Sequence, residues 1–348
     1  MQEYFMSIIL FKDMEINRVY DTKVIVNTIA EKSTANGKPM LRIMISDGTE
    51  TVSAVMFDTT KKNLNDAGVS DGMAAETKIH IDSFGGRSYQ IQYLRPTTLD
   101  DSEKSALVRK PPVDPDKLFV NVIQKIKASS GRDYDLKSAE IKDDDYSLTA
   151  LAVRLLMKDY KAFYSSSAAK SMHHNLYGGL VYHTSRMVDA AFAICDVYTI
   201  LDRELLVCGA AIHDLGKLRE LNTSDTGVAS YTTEGSLLGH ALLGIEMIDE
   251  EVAARDAAAG RQTYDRDDIM CIKHLIASHH GKLEWEAIKL PALPEAMMLH
   301  ELDMIDSRIY IYEETLSKTE PGTLSEPVYG IAADKTSTPL YRRLNGKN

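Results

Sequence analysis

The chain has 348 residues, 44% hydrophobic and 26% charged, a length that suggests two domains and a balance that excludes wholesale disorder and collagen. No run approaches the roughly 18 apolar residues of a membrane-spanning helix, and no basic segment with a small-residue cleavage site opens the chain, so a cytoplasmic protein with no membrane contact is expected. The net charge of -11 is uneven, with 14 Lys+Arg against 15 Asp+Glu in residues 1–110 and 26 against 36 in the remainder, so the chain is not an obvious nucleic-acid binder by charge, although carboxylates that capture divalent cations would reverse the sign locally.

Residues 19–94 read as short strands, 24–26, 40–45, 50–57, 78–81 and 89–93, with turns at Asn36-Gly37, Asp47-Gly48 and Gly85-Gly86. A short helix over 60–67 separates the third strand from the fourth. Five strands in that order predict an all-β OB-fold barrel for residues 1–97. Such barrels commonly bind single-stranded nucleic acid, and Phe57, Phe84, Tyr89 and Tyr93 could stack bases while Arg42, Arg87 and Arg95 meet phosphates. The same aromatics suit a barrel core equally well, and the same arginines a solvated edge.

Residues 98–117 are polar and contain Pro111, Pro112 and Pro115, which predicts a linker. Beyond it apolar residues recur at three- and four-residue spacing, so 118–318 is expected to be an all-α bundle with helices over 118–126, 147–162, 184–197, 202–217, 236–254, 265–280 and 294–317. Asp265 is a plausible N-cap and Gly281 a plausible residue just past a helix end. Residues 319–348, rich in Pro, Gly, Ser and Thr, predict an extended tail. Three isolated cysteines, Cys195, Cys208 and Cys271, read as buried small hydrophobes, because a disulfide framework or thiolate zinc site lacks the residues it needs.

Nine of the ten histidines lie between residues 173 and 300. Any one of them could be an ordinary core residue, but they alternate along the chain with carboxylates in apolar surroundings. His183 follows Gly178-Gly179-Leu180. His213-Asp214 follows Ala210-Ala211-Ile212 and precedes Leu215-Gly216-Lys217. His240 ends Leu237-Leu238-Gly239, His279-His280 close a helix, and Asp303 and Asp306 share the face of another. A carboxylate turned into such a core costs several kcal/mol unless a cation or strong donors compensate it. Imidazoles and carboxylates without thiolates favour Mn²⁺, Fe²⁺, Mg²⁺ or Zn²⁺.

The order His183, His213-Asp214, Asp303 resembles the HD superfamily of metal-dependent phosphohydrolases. Further matches resemble the YhaM-type 3′→5′ exoribonucleases: Ser167-Ala168-Ala169-Lys170 with His173-His174, Gly178 to Thr184, His213 to Lys217, Tyr231-Thr232 with Gly239-His240, Ser278 to Gly281, and Pro321 to Glu326. Ser167 stands where that family usually has proline, and the stretch 252–268 is longer than its pattern. The resemblance implies an OB-fold joined to an HD domain, with one divalent ion on His183, His213, Asp214 and Asp303. It implies a second ion on His240, His279 and His280, with Asp214 between the two and manganese expected. Lys217 would contact a phosphate oxygen, with an ordinary ion pair as its other reading. Lys170 and His174 would contact substrate or simply end a helix.

The activity so implied is 3′→5′ hydrolysis of single-stranded RNA, with DNA also open, through metal-activated water, the barrel holding the strand. A nucleotide or cyclic-dinucleotide phosphohydrolase has no need of a strand-binding barrel. A non-catalytic nucleic-acid-binding accessory protein has no need of so many buried imidazoles and acids. Self-association stays open at this level.

Overall fold

The computed structural model describes residues 8–83, 87–169, 176–329, 331 and 336–346. The chain divides into two compact units, one of residues 1–111 with 175–177 and 223–230, the other of the remainder. No helix among the described residues is long and apolar enough to cross a membrane.

The first unit is a closed barrel of β1 (Val19–Ser33), β2 (Pro39–Ser46), β3 (Thr51–Phe57), β4 (Ala74–Asp82) and β5 (Ser88–Pro96) in the order β1-β2-β3-β5-β4. The helix α1 (Lys61–Asp66) links β3 to β4, begun by Thr60, whose hydroxyl accepts from the Asn63 amide at 3.2 Å. Every pairing is antiparallel except β3 with β5, which closes the barrel. This is the OB-fold that the strand pattern predicts. Alternate residues point inward, so Leu41, Ile43 and Ile45 are buried on β2 while Arg42 between them is exposed.

That alternation corrects two of the proposed strand-binding residues. Tyr89 shares the inward face of β5 with Ile91 and packs on Phe11 with ring centroids 5.5 Å apart, so it is barrel core. Arg87 spends its guanidinium on the carbonyl oxygens of Phe11 and Met14, which ties the segment before β1 to the barrel. Phe57 is exposed and Tyr93 is half-buried, its hydroxyl donating to Asp21 at 3.1 Å and its ring lying under Arg95. Phe84 lies outside the described residues. Tyr89→Ala is therefore expected to lower unfolding stability by about 3–5 kcal/mol, as truncation of buried aromatics does. Phe57→Ala should change it by no more than about 0.5 kcal/mol, and urea denaturation checks both.

The stretch 98–117 is not featureless. A helix α2 (Asp101–Leu107) forms there, closed by a reciprocal capping box between Asp100 and Glu103, and its Leu107 is buried with Ile25, Ala74 and Val228.

The second unit is a bundle of α3 (Pro115–Ser129), α4 (Leu148–Lys158), α5 (Tyr160–Ser165), α6 (Gly179–Ile194), α7 (Arg203–Ile212), α8 (Lys217–Glu220), α9 (Thr233–Ala259), α10 (Arg266–Ser278) and α11 (Pro294–Ser317); the chain also forms a small two-stranded pair, β6 (Leu221–Thr223) and β7 (Ala229–Tyr231). Its core joins α3, α4, α6, α7, α9, α10 and α11 through residues such as Val122, Leu151, Val188, Leu206, Ile248, Ile272 and Leu299. Cys195 and Cys208 are buried in it, and Cys271 is half-buried. The expected helix over 147–162 breaks at Asp159 into α4 and α5. The tail is more ordered than an extended strap, since β8 (Val328–Tyr329) pairs antiparallel with β9 (Ser337–Thr338) and Leu324 bridges Tyr341.

Candidate metal centre

Five elements of the helical unit each deliver part of one polar cluster. His183 lies in the first turns of α6, which begins at Gly179, five residues before the predicted start. His213 and Asp214 are not inside a helix, because α7 stops at Ile212 and the chain winds through tight turns into α8, with Leu215 N–H donating to Ile212 and Lys217 N–H to Asp214. His240 follows a kink in α9 at Gly239, whose φ of 72° and ψ of 155° a glycine adopts most easily. His279 and His280 stand at the end of α10, and Asp303 and Asp306 on α11.

Asp214 stands at the middle of the cluster. Its Oδ2 faces His183 Nε2 at 3.7 Å and His213 Nε2 at 3.4 Å, and its Oδ1 faces His240 Nε2 at 3.4 Å and His279 Nε2 at 3.9 Å. Asp303 closes the first group, its Oδ1 lying 3.4 Å from His183 Nε2. His280 closes the second, with ring centroids 4.9 Å from His240 and 4.2 Å from His279. Each trio, His183 with His213 and Asp303 and His240 with His279 and His280, presents ligand atoms within 4.8 Å of one another.

The outer ring nitrogens fix how these imidazoles face inward. His213 Nδ1 meets the Ala210 carbonyl at 2.9 Å and His279 Nδ1 the Ile276 carbonyl at 2.7 Å; a carbonyl only accepts, so each Nδ1 carries the hydrogen. His183 Nδ1 meets Asp306 at 2.7 Å and His240 Nδ1 meets Glu220 at 3.1 Å. All four rings thus turn Nε2 toward the centre, the arrangement by which a neighbouring acceptor orients a metal-binding imidazole.

The donor set fits divalent cations. Opposed Nε2 atoms stand 3.3 Å apart between His183 and His213 and 3.2 Å apart between His240 and His279. Two lone pairs so placed repel unless a proton or a cation lies between them. With metal–nitrogen bonds of about 2.1 Å, neighbouring ligand atoms stand about 3.0 Å apart in an octahedron and about 3.4 Å in a tetrahedron, close to the spacing seen. His280 Nδ1 is buried and has no hydrogen-bond partner among the described residues. Mixed nitrogen and oxygen donors without sulfur suit Mn²⁺, Fe²⁺, Mg²⁺ or Zn²⁺.

Charge in the cluster follows the same division. Burial, reinforced by His280 and His213, holds the His279 imidazole well below its ordinary value, and burial lowers His280 too, so both stay neutral and able to ligate. Burial would raise the Asp214 carboxyl, but Lys217 and His213 outweigh it and hold it well below the usual carboxylate range. Lys217 Nζ donates to Asp214 Oδ2 at 2.7 Å, and this contact overcomes burial to raise the ammonium above its usual value. Burial would depress His213, but Asp214 overrides it and lifts the ring.

His183, His213, Asp214, Lys217, His240, His279, His280 and Asp303 therefore converge. Lys170, His173 and His174 lie outside the described residues. Asp306 is turned to His183 Nδ1 and to Arg186 rather than to the centre. Glu220, absent from the sequence reading, holds His240 by both its backbone amide at 3.0 Å and its ring. The one signal for it was an acid a turn past Lys217 in an otherwise basic helix, Lys217-Leu218-Arg219-Glu220.

The HD domain family matches residues 180–309, a span that contains every residue of the two trios. A curated protein from Shouchella clausii named 3′-5′ exoribonuclease YhaM is 30% identical over 335 residues, covering 94% of this chain and 96% of its own length. Proteins of the same name from Listeria monocytogenes serotype 4b and Bacillus licheniformis are each 29% identical over 332 residues, covering 94% of this chain and 98% of their own. A solved structure of the second OB-fold domain of replication protein A from Methanococcus maripaludis is 15% identical, with a TM-score of 0.21, covering 27% of this chain and 100% of that one, a likeness too slight to carry weight. Near full-length similarity on both sides, with an HD match that spans the histidine and aspartate cluster, makes this chain a hydrolase that belongs to the YhaM exoribonuclease family.

Proposed function

We propose that the protein is a metal-dependent 3′→5′ exonuclease that hydrolyses single-stranded RNA in the cytoplasm. In this reading residues 1–97 bind the strand and residues 118–318 cut it. The observation that carries the reading is the placement of Asp214, whose two carboxylate oxygens face two separate histidine groups. His183, His213, Asp214 and Asp303 would hold one divalent ion, and His240, His279 and His280 a second, with Asp214 shared and manganese the expected metal. Bound ions of this kind supply an activated water and neutralise charge at phosphorus and the leaving oxygen.

The chain's own residues do the rest. Asp306 and Glu220 fix the rotation of His183 and His240 from behind. Lys217, largely buried beside Asp214, keeps a full positive charge where an incoming phosphate oxygen would meet it. Phe57, exposed on β3, and Tyr93 give bases a surface on which to stack.

The test is incubation of the full chain with 5′-labelled single-stranded RNA and Mn²⁺, with and without EDTA. Products should shorten progressively from the 3′ end and vanish with chelator; binding without cleavage would exclude the nuclease. A DNA strand of the same sequence reads the sugar preference. In the same assay Phe57→Ala is expected to weaken binding of a 30-nucleotide RNA by about 5- to 100-fold, the usual loss when one stacking platform is removed, while cleavage of a trinucleotide is unchanged. Equal loss on both substrates would remove the barrel from strand binding.

A further inference from the structure

The chain contains a single tryptophan, and it stands five residues past His280, on the one-turn segment Leu283–Trp285. The metal centre makes no use of it. The half-buried indole leans on His300, with ring centroids 6.0 Å apart, and His300 Nδ1 meets the backbone carbonyl of His279 at 2.9 Å. One residue therefore ties the indole to the backbone of His279.

Above the indole lies the Lys282 ammonium, 4.3 Å from the ring centroid. Its nearest acid, Glu284, is 3.9 Å away on the surface, too loose and too solvated to hold it. Two left-handed residues bracket this pair. Gly281 has φ +73° and lies so close to His300 that a Cβ there would fall 2.4 Å from the imidazole. Glu286 takes φ 68°, a left-handed conformation unfavourable for a residue with a side chain.

We propose that Lys282 and Trp285 form the shelf that receives the terminal nucleotide of the single-stranded substrate, a step that rests on the nuclease reading above. The base stacks on the indole face and displaces the ammonium from it. Lys282 then turns to the 5′ phosphate of that nucleotide. A π-face and an exposed cation on one turn match the two halves of a nucleotide, whereas an acidic peptide would use the cation and leave the ring idle. Any base offers a π-face, so the shelf tolerates all four, as an exonuclease that proceeds along a strand requires.

Because Trp285 is the sole tryptophan, its emission reports the shelf directly. The full chain with Mn²⁺ is titrated with a ten-nucleotide oligoadenylate whose phosphorothioate linkages resist hydrolysis. The indole emission should be quenched at saturation, and the same strand with an abasic 3′ unit should bind without the quench. In steady-state assays on ordinary RNA, Trp285→Ala should raise KM by about 10- to 100-fold with kcat little changed, and Trp285→Phe should recover most of the loss. Unchanged emission when anisotropy shows the RNA bound, or an unchanged KM in Trp285→Ala, overturns the shelf. Quenching by RNA that is never shortened leaves the shelf standing and removes the exonuclease reading; shortening without quenching removes the shelf alone.

Discussion

Asp214→Ala should abolish RNA hydrolysis, by at least about 10³-fold, while binding of single-stranded RNA to the full chain stays largely intact. The expectation follows from where the two oxygens point. Each neighbouring trio keeps its imidazoles, but the one anion common to both is gone, and the charge that would balance two divalent ions falls with it. Lys217, 2.7 Å from that carboxylate, is left with its charge unmatched, which further disfavours a cation nearby. Asp214→Asn separates the two effects, since an amide oxygen of the same size can still accept from Lys217 but is a weaker ligand. A second readout does not depend on turnover. A ligand at about 100 times its Kd stabilises the folded state by about 2.7 kcal/mol, so Mn²⁺ should raise the melting temperature of the wild-type chain and leave Asp214→Asn nearly unmoved. Retained turnover, or an undiminished thermal response to Mn²⁺, would show that Asp214 is not a ligand.

Much of this cluster could be read from the sequence because its members are residue types that an apolar helix otherwise excludes. His213 and Asp214 after Ala210-Ala211-Ile212, and Asp303 among Leu299 and Leu302, are conspicuous for that reason. The groups that orient them are not. Glu220 and Arg186 lie on half-polar helix surfaces, where acids and bases are ordinary, and only the fold shows that they face His240 and Asp306. Asp306 illustrates the limit of periodicity: three residues from Asp303 it shares a helix face, yet it bonds the far nitrogen of His183.

The barrel shows the same division between pattern and placement. Strand order was legible, but the choice between stacking surface and core for Tyr89 was not: the structure turns it inward with Ile91, while Gln90 and Gln92 lie on the opposite face. Tyr93 continues the inward series by parity, but the β4–β5 register shifts between Lys78 and Ile79, so Leu94 points in and Tyr93 is half-exposed. A bulge of this kind leaves no mark in residue type. Likewise, the sequence continues helically through residue 217, whereas the chain leaves α7 at Ile212, and His213 Nε2 and Asp214 Oδ2 meet at 3.4 Å.

Gly216→Ala should remove most activity although residue 216 is no ligand. The new Cβ would fall 2.0 Å from the His240 carbonyl oxygen and 2.6 Å from the Gly244 amide nitrogen. Both are backbone atoms, so no change of side-chain rotamer relieves the overlap, and α9 must move away from the turn that carries Asp214. Overpacking of this kind destabilises a fold by about 1–3 kcal/mol, which for a unit of this size lowers the melting temperature by about 2–12 °C. The larger effect is on His240, which the same shift carries away from Asp214 Oδ1 and Glu220; a misplacement of about 1 Å is enough for about a 10²-fold loss of rate. Gly260→Ala is the matched control. Its φ of 62° strains any side chain, but its Cβ meets nothing within 4 Å and it closes α9 at the other end from His240. That variant should lose about 1–2 kcal/mol of stability with turnover intact. If the two variants instead lose activity in proportion to stability, close packing of α8 against α9 does not set the position of His240, and the second half of the metal centre needs another support.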